Sequence, residues 1–139
     1  MQTFLPYADF VRSAESLDNK RLGKQRVETY QILRVLAGIT NGWQNHPAVK
    51  MWRGHELSLI EYGEAVCEEW IKRGFNDTCL LKIGNMRADF AGKPDAHPVW
   101  IGREELHLSH QSNLIRKDPI YYIPVFGNVA DDMEYVWPA

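Results

Sequence analysis

The longest run of uninterrupted helical spacing in the chain extends from Pro47 to Gly74. Proline suits a first helical turn, where its missing N–H is no loss, and Pro47 stands there. Apolar positions follow at Trp52, Leu59, Ala65 and Trp70, and Gly74 lies where a C-cap belongs, after Arg73. A helix of that length crosses a small domain from side to side, so the other elements must pack along it. A further long helix is predicted from Asp18, a good N-cap residue, to about Leu36, with Gly38 as its stop. Leu22, Tyr30, Leu33 and Ala37 fall near one face of it. Gly23 inside this helix costs about 1 kcal/mol against alanine, which points to close packing or close approach of a ligand. A short helix over residues 8–16 precedes it. Another runs from about Arg103 to Lys117 and is ended by Asp118–Pro119. Residues 84–102, with three glycines and two prolines, read as a loop. The stretch from Tyr121 to Trp137 reads as an aromatic tail wrapping over the helices. Strand signals are weak throughout. The expected fold is all-α: a compact single domain over residues 1–139, with about three main helices and the C-terminal tail packed on them.

The bulk numbers agree with a folded globule and narrow the setting. A length of 139 residues, 45% hydrophobic and 24% charged, suffices for one real core. The opening MQTFLPYADF has no signal-peptide plan, and no apolar run reaches the roughly 18 residues of a membrane span. Cys67 and Cys79 have neither disulfide-framework nor metal-ligand spacing, so a reducing cytoplasm is the expected location. The net charge of −2 does not by itself point to a nucleic acid. The distribution does: Lys20, Arg21, Lys24, Arg26 and Arg34 crowd one segment, and Arg116–Lys117 form a second knot. Acids gather elsewhere, at Glu56, Glu61, Glu64, Glu68 and Glu69 and again at Asp131, Asp132 and Glu134. A domain that is acidic in sum can still turn one basic face to phosphates. A mixed, solvated helix surface is the plainer reading of the same pattern.

Within the basic segment, Lys24 and Glu28 are four residues apart and share a helix face, with Arg21 one turn before Lys24. A carboxylate set among positive charges favours its ionised form. Such a group can stabilise an oxocarbenium ion developing at a deoxyribose C1′, or accept a proton there, while the lysines and arginines hold flanking phosphates. An ordinary Lys–Glu pair on a solvated face fits the same spacing. His107 and His110 are three apart on the last long helix and point the same way. With His97 or His46 they would make a metal site, but no carboxylate or cysteine is spaced to help, so neither metal nor cofactor is expected. The expectation is that these histidines line a polar cleft, bonding phosphates or backbone. Ser109, Gln111, Ser112 and Asn113 in the same run HLSHQSNLIRK add donors for phosphate or sugar, as do Arg116 and Lys117. The tryptophans Trp43, Trp52, Trp70, Trp100 and Trp137 are expected mostly in the core. Tyr121, Tyr122 and Trp137 have the alternative of stacking on a base.

Taken in order, LDNKRLGKQRVETYQIL, HPAVKMWRGHELSLIEYG, CEEWIKRGFNDT, HLSHQSNLIRKDPIYY and the closing YVWP resemble the pyrimidine-dimer DNA glycosylases, in their bacterial and phage branch. The resemblance spans essentially the whole chain. It implies a compact helical fold with the N-terminus laid against a central helix. It also implies a reaction in which the first residue's α-amino group attacks C1′ of the damaged nucleotide, expels the base and forms an imine. A helix glutamate assists, and β-elimination nicks the strand; Glu28 stands at the matching place. An α-amine titrates near 7.7–8.0, which leaves a useful neutral fraction at physiological pH. Gln2 is too bulky for ordinary removal of an initiator methionine, so either the Met1 amine is the nucleophile or the imine chemistry is lost. Val27 stands where a phage-encoded member of the family carries an arginine, although Arg26 is adjacent.

The function expected is therefore a DNA glycosylase, with lyase activity, acting as a monomer on damaged or modified pyrimidines in double-stranded DNA. Met1 and Glu28 carry the chemistry. Lys20, Arg21, Lys24, Arg26, His107, His110, Asn113, Arg116 and Lys117 hold the nucleic acid. Two other readings stay open: water-mediated excision or group transfer on a modified base, and a non-catalytic DNA-binding module on the same scaffold.

Overall fold

A computed structural model describes residues 1–138, and among them there are helices and no strands. Helix α1 spans Phe10–Ser16 and α2 spans Asn19–Leu36. A short α3, Pro47–Lys50, precedes α4, Glu56–Lys72. Then come α5, Leu80–Asn85, a 3-10 turn over Met86–Phe90, α6, Glu104–Lys117, and α7, Pro119–Phe126. None is long and apolar enough to cross a membrane.

Helices α2 and α4 are the two longest and lie against each other. Asp18 caps α2 by accepting the Arg21 N–H at 3.4 Å, and Gly38 leaves the far end with a φ of 77°. Leu22, Gln25, Thr29, Ile32 and Leu33 turn inward at helical spacing. Leu59, Ile60, Val66 and Cys67 answer them from α4. Each fully buried leucine or isoleucine is stabilising by about 1.5–3 kcal/mol. The crossing is close because α4 carries Gly63: a Cβ there would lie 2.8 Å from Thr29 Cγ2. Gly23 has a similar reason, since its Cβ would meet the Trp70 ring at 3.0 Å. Of the two explanations open for that glycine, packing against a neighbour is the one observed.

Three expectations need correction. The single helix from Pro47 to Arg73 is broken after Lys50. Gly54 takes a φ of 89°, and the Glu56 carboxylate folds back to accept the Gly54 N–H at 2.7 Å before α4 begins. The stretch assigned to a loop from residue 84 starts inside α5 and continues as the 3-10 turn, which buries Met86 and Phe90. Only the glycine- and proline-rich residues after Phe90 are irregular. The tail also begins as a helix: Asp118 accepts the Tyr121 N–H at 3.2 Å, Pro119 occupies the first turn, and Tyr122 is buried. Beyond Gly127 the chain does wrap back, and Val129, Tyr135, Val136 and Trp137 pack on the core.

Candidate active site

The site is built from the first six residues, which run extended and mostly buried across the molecule with no strand to pair with. Buried backbone groups require partners, and here side chains supply them. The Gln2 N–H donates to Glu28 Oε2 at 3.3 Å, and the Gln2 carbonyl accepts Gln25 Nε2 at 2.8 Å. The Phe4 N–H donates to Gln25 Oε1 at 2.9 Å. Tyr62 Oη lies 2.8 Å from Phe4 O and 2.6 Å from Gln25 Oε1. Its single proton serves one of the two at a time. Trp52 Nε1–H donates to Thr3 Oγ1 at 3.0 Å. Burial first, and then the negative charge of Glu28, push the Tyr62 phenol well above its ordinary range, so it stays a neutral donor.

Helix α6 completes the clamp. The Leu5 N–H donates to His110 Nδ1 at 2.8 Å, and His107 Nδ1 lies 2.8 Å from the Leu5 carbonyl. His107 Nε2 accepts the Gly102 N–H at 2.9 Å, so its Nδ1 carries the proton given to Leu5. Burial, with His107 adding to it, pushes the His110 imidazole down to about 3, and it is neutral at physiological pH. Gln111 Nε2 donates to the Pro6 carbonyl at 2.7 Å.

Met1 therefore emerges beside Glu28 at the meeting of two cavities that both residues line. The first, of about 300 Å³, is walled by Lys20, Arg21, Lys24 and Lys117, with Phe4 and Tyr135. Glu28 is the one carboxylate on that wall. The second, of about 540 Å³, has Gln31, Arg34, Val35, Thr40, Gly42 and Trp43 around it. His46 stands nearby, its Nδ1 accepting the Ala48 N–H at 3.0 Å. Desolvation lowers its pKa; the positive Met1 amine adds to that, and Glu28 opposes it. An α-amine, a carboxylate that accepts the next residue's N–H, and a lysine-rich wall make a set of groups able to hold a sugar-phosphate strand and to attack one of its carbons.

Met1, Glu28, Lys20, Arg21, Lys24 and Lys117 thus come together, though Arg21 also pairs with Asp18 at 3.2 Å. The other residues assigned to DNA face elsewhere. Arg26 is buried, pairs with Asp77 at 2.8 Å and lies over the Trp70 ring. Burial opposes the Asp77 charge, but the Leu80 N–H, Arg26 and the Cys79 N–H together hold its carboxyl below the usual range. His107, His110 and Asn113 are buried and occupied with the chain's own backbone. Asn113 Nδ2 donates to Met133 O at 3.1 Å, Ser112 Oγ accepts the Met133 N–H at 3.0 Å, and Ser109 Oγ accepts the Val136 N–H at 3.1 Å. Arg116 donates to Asp131 O at 2.6 Å. Lys117 apart, the polar run on α6 therefore ties the opening residues and the tail to the body, and of the two partners expected for the histidines, phosphate or backbone, backbone is the one observed. The histidines do not converge either: His97 pairs with Glu61, and no three of His, Cys, Asp and Glu gather among the described residues. Trp52 and Trp100 are core, as expected, but Trp43 is 64% exposed.

Gln25 and Tyr62 are the site residues that the sequence reading does not single out. Their only signal is a polar atom on an otherwise apolar helix face, as with Gln25 between Leu22 and Thr29.

The fold and this cleft define an all-helical protein whose first amine and one helix acid share a basic wall. The chain belongs to the pyrimidine dimer DNA glycosylase family, whose model matches residues 1–83. That span holds Met1, all of α2 and all of α4. Comparison with curated proteins and with solved structures gives no match in either.

Proposed function

We propose that the chain is a DNA glycosylase with lyase activity on duplex DNA, using the Met1 α-amine as nucleophile and Glu28 as the assisting acid–base. The neutral amine attacks C1′ of the target nucleotide. A C1′–N bond forms as the glycosidic bond breaks, and the departing base takes up a proton. Glu28 offsets the positive charge that develops at C1′ and accepts the proton the amine loses. Opening of the C1′–O4′ bond, with a proton delivered to O4′, leaves the imine. Loss of a C2′ proton from it expels the 3′ phosphate. Lys20, Lys24 and Lys117 hold the flanking phosphates during these steps.

One observation carries the reading: the Gln2 N–H is held on the Glu28 carboxylate at 3.3 Å, at the edge of a lysine-walled cavity that Met1 also lines. Borohydride is expected to trap the parent chain on duplex bearing an abasic site or a thymine dimer. Glu28→Gln is expected to lower nicking at least a hundredfold while leaving the thermal midpoint within a few degrees. Equal nicking by Glu28→Gln and the parent, with no trapped adduct, rejects this chemistry. Nicking that survives acetylation of the N-terminus points instead to water as the nucleophile.

A further inference from the structure

Trp43 is an indole held out in solvent by a backbone that resists the posture. It is 64% exposed, and its φ of 67° makes it the one non-glycine residue in the left-handed region among those described. The residue before it is Gly42, so a glycine was available one position away. The ring makes an edge contact, standing at 68° to the His46 ring with 5.7 Å between centroids. His46 is itself fixed by the Ala48 N–H and stands at 87° to Trp137. Trp43 is thus an exposed aromatic surface on the wall of the larger cavity, which Met1 and Glu28 also line.

The two cavities differ in chemistry. One has lysines; the other has an indole, Val35, and the amide, guanidinium and hydroxyl of Gln31, Arg34 and Thr40. A nucleotide divides the same way at C1′, which carries the base on one bond and leads to the phosphates through the sugar ring. With the attacked carbon at Met1, phosphates on the lysine side leave the base on the Trp43 side. Resting on the glycosylase reading above, we propose that the larger cavity is the base-binding subsite, and that the Trp43 ring stacks on the base whose glycosidic bond is cut. Gln31, Arg34 and Thr40 face the edge of that base. Stacking of this kind tolerates many bases, because each presents a π face.

The test separates the ring from the loop. Trp43→Gly removes the indole and suits a positive φ, so the loop keeps its course; Trp43→Phe keeps an aromatic face. On thymine-dimer duplex, Trp43→Gly is expected to lower kcat/KM about tenfold or more, the size of one lost base–aromatic stack, with Trp43→Phe within about threefold of the parent. On abasic duplex, which has no base to stack, all three chains are expected to nick alike. Equal loss on both duplexes, or no loss on the dimer, overturns the proposal. Binding is read separately with duplex carrying 2-aminopurine at the target position. Its emission, low inside the duplex, is expected to rise when Trp43→Gly draws the base out and to stay low with the parent, whose indole stacks on it, and equal emission from the two also overturns the proposal. If the parent fails to nick or be trapped by abasic duplex, the reaction assigned above is wrong, while the emission comparison still decides the role of Trp43.

Discussion

His110 shows what a single side chain can be asked to do in a helical protein with one extended, buried segment. Its Nδ1 is the acceptor for the Leu5 N–H, and that acceptor exists only while the imidazole is neutral. Burial, reinforced by His107, pushes the group down to about 3, whereas in the unfolded chain an imidazole titrates near 6.5. The unfolded state therefore binds a proton that the folded state refuses. The stability so contributed is complete above about pH 6.5 and falls steadily as the pH drops toward 3. At the bottom of that window the loss is of the order of 4 kcal/mol. Urea midpoints measured from pH 7.5 to 4 are expected to fall more steeply for the parent than for His110→Asn, whose side-chain oxygen keeps an acceptor for Leu5 without titrating there. Parallel slopes would show that this histidine does not control acid stability. The spacing of His107 and His110 correctly put them on one face of α6. It could not show that the facing surface is the chain's own Leu5, 105 residues away along the sequence for His110. Local periodicity orders the residues on a helix but is silent about its distant neighbours.

At the scale of elements, the helices that were legible are those whose ends carry a chemical stop. Asp18 and Gly38 bracket α2, and Asp118–Pro119 closes α6, so both were readable to within a residue or so. The break between α3 and α4 was obscured because apolar spacing continues through Trp52 while the chain turns. Gly54 was the visible warning, and a glycine inside a helical pattern is ambiguous until its φ is known. Gly63 shows the opposite case, a glycine that stays helical because a neighbour needs the room. Its absent Cβ would be 2.8 Å from Thr29 Cγ2 and 3.1 Å from the Ile83 side chain, so Gly63→Ala must push α2 and α5 away from α4. Alanine returns about 1 kcal/mol of helix propensity, and overpacking costs typically 1–3 kcal/mol. The net expectation is destabilisation of about 1 kcal/mol, read as a lower denaturant midpoint with an unchanged slope. A more stable Gly63→Ala variant would mean the two helices can part without cost. The crossing also matters to the site, because Gln25 on α2 and Tyr62 on α4, next to Thr29 and Gly63, are the residues that hold Phe4.

For the whole molecule, sign and placement of charge matter more than their sum. The net charge is −2, yet the wall beside Met1 carries Lys20, Lys24 and Lys117, for which no ion pair is formed among the described residues, with Arg21 alongside. Much of the acid on α4 is engaged elsewhere: Glu64 with Arg87, Glu69 with Arg73, and Glu61 with His97. This separation lets an acidic protein offer a polyanion one cationic strip. The clustering in the sequence announced the strip, but it also drew in Arg26 and Arg116, which the fold uses to join α2 to the start of α5 and to anchor the tail. The distinction can be measured, because each phosphate neutralised releases condensed counterions and steepens the fall of log K with log salt by about 0.9 for duplex DNA. Lys20→Gln, Lys24→Gln and Lys117→Gln are each expected to reduce the magnitude of that slope by roughly one, nearly independently of the sequence bound. Lys93→Gln, on the exposed loop after the 3-10 turn, is expected to leave it unchanged. If Lys93→Gln flattens the salt dependence as much as the three cleft lysines do, DNA is held by diffuse surface charge, and the lysine wall beside Met1 and Glu28 loses its role in placing the strand.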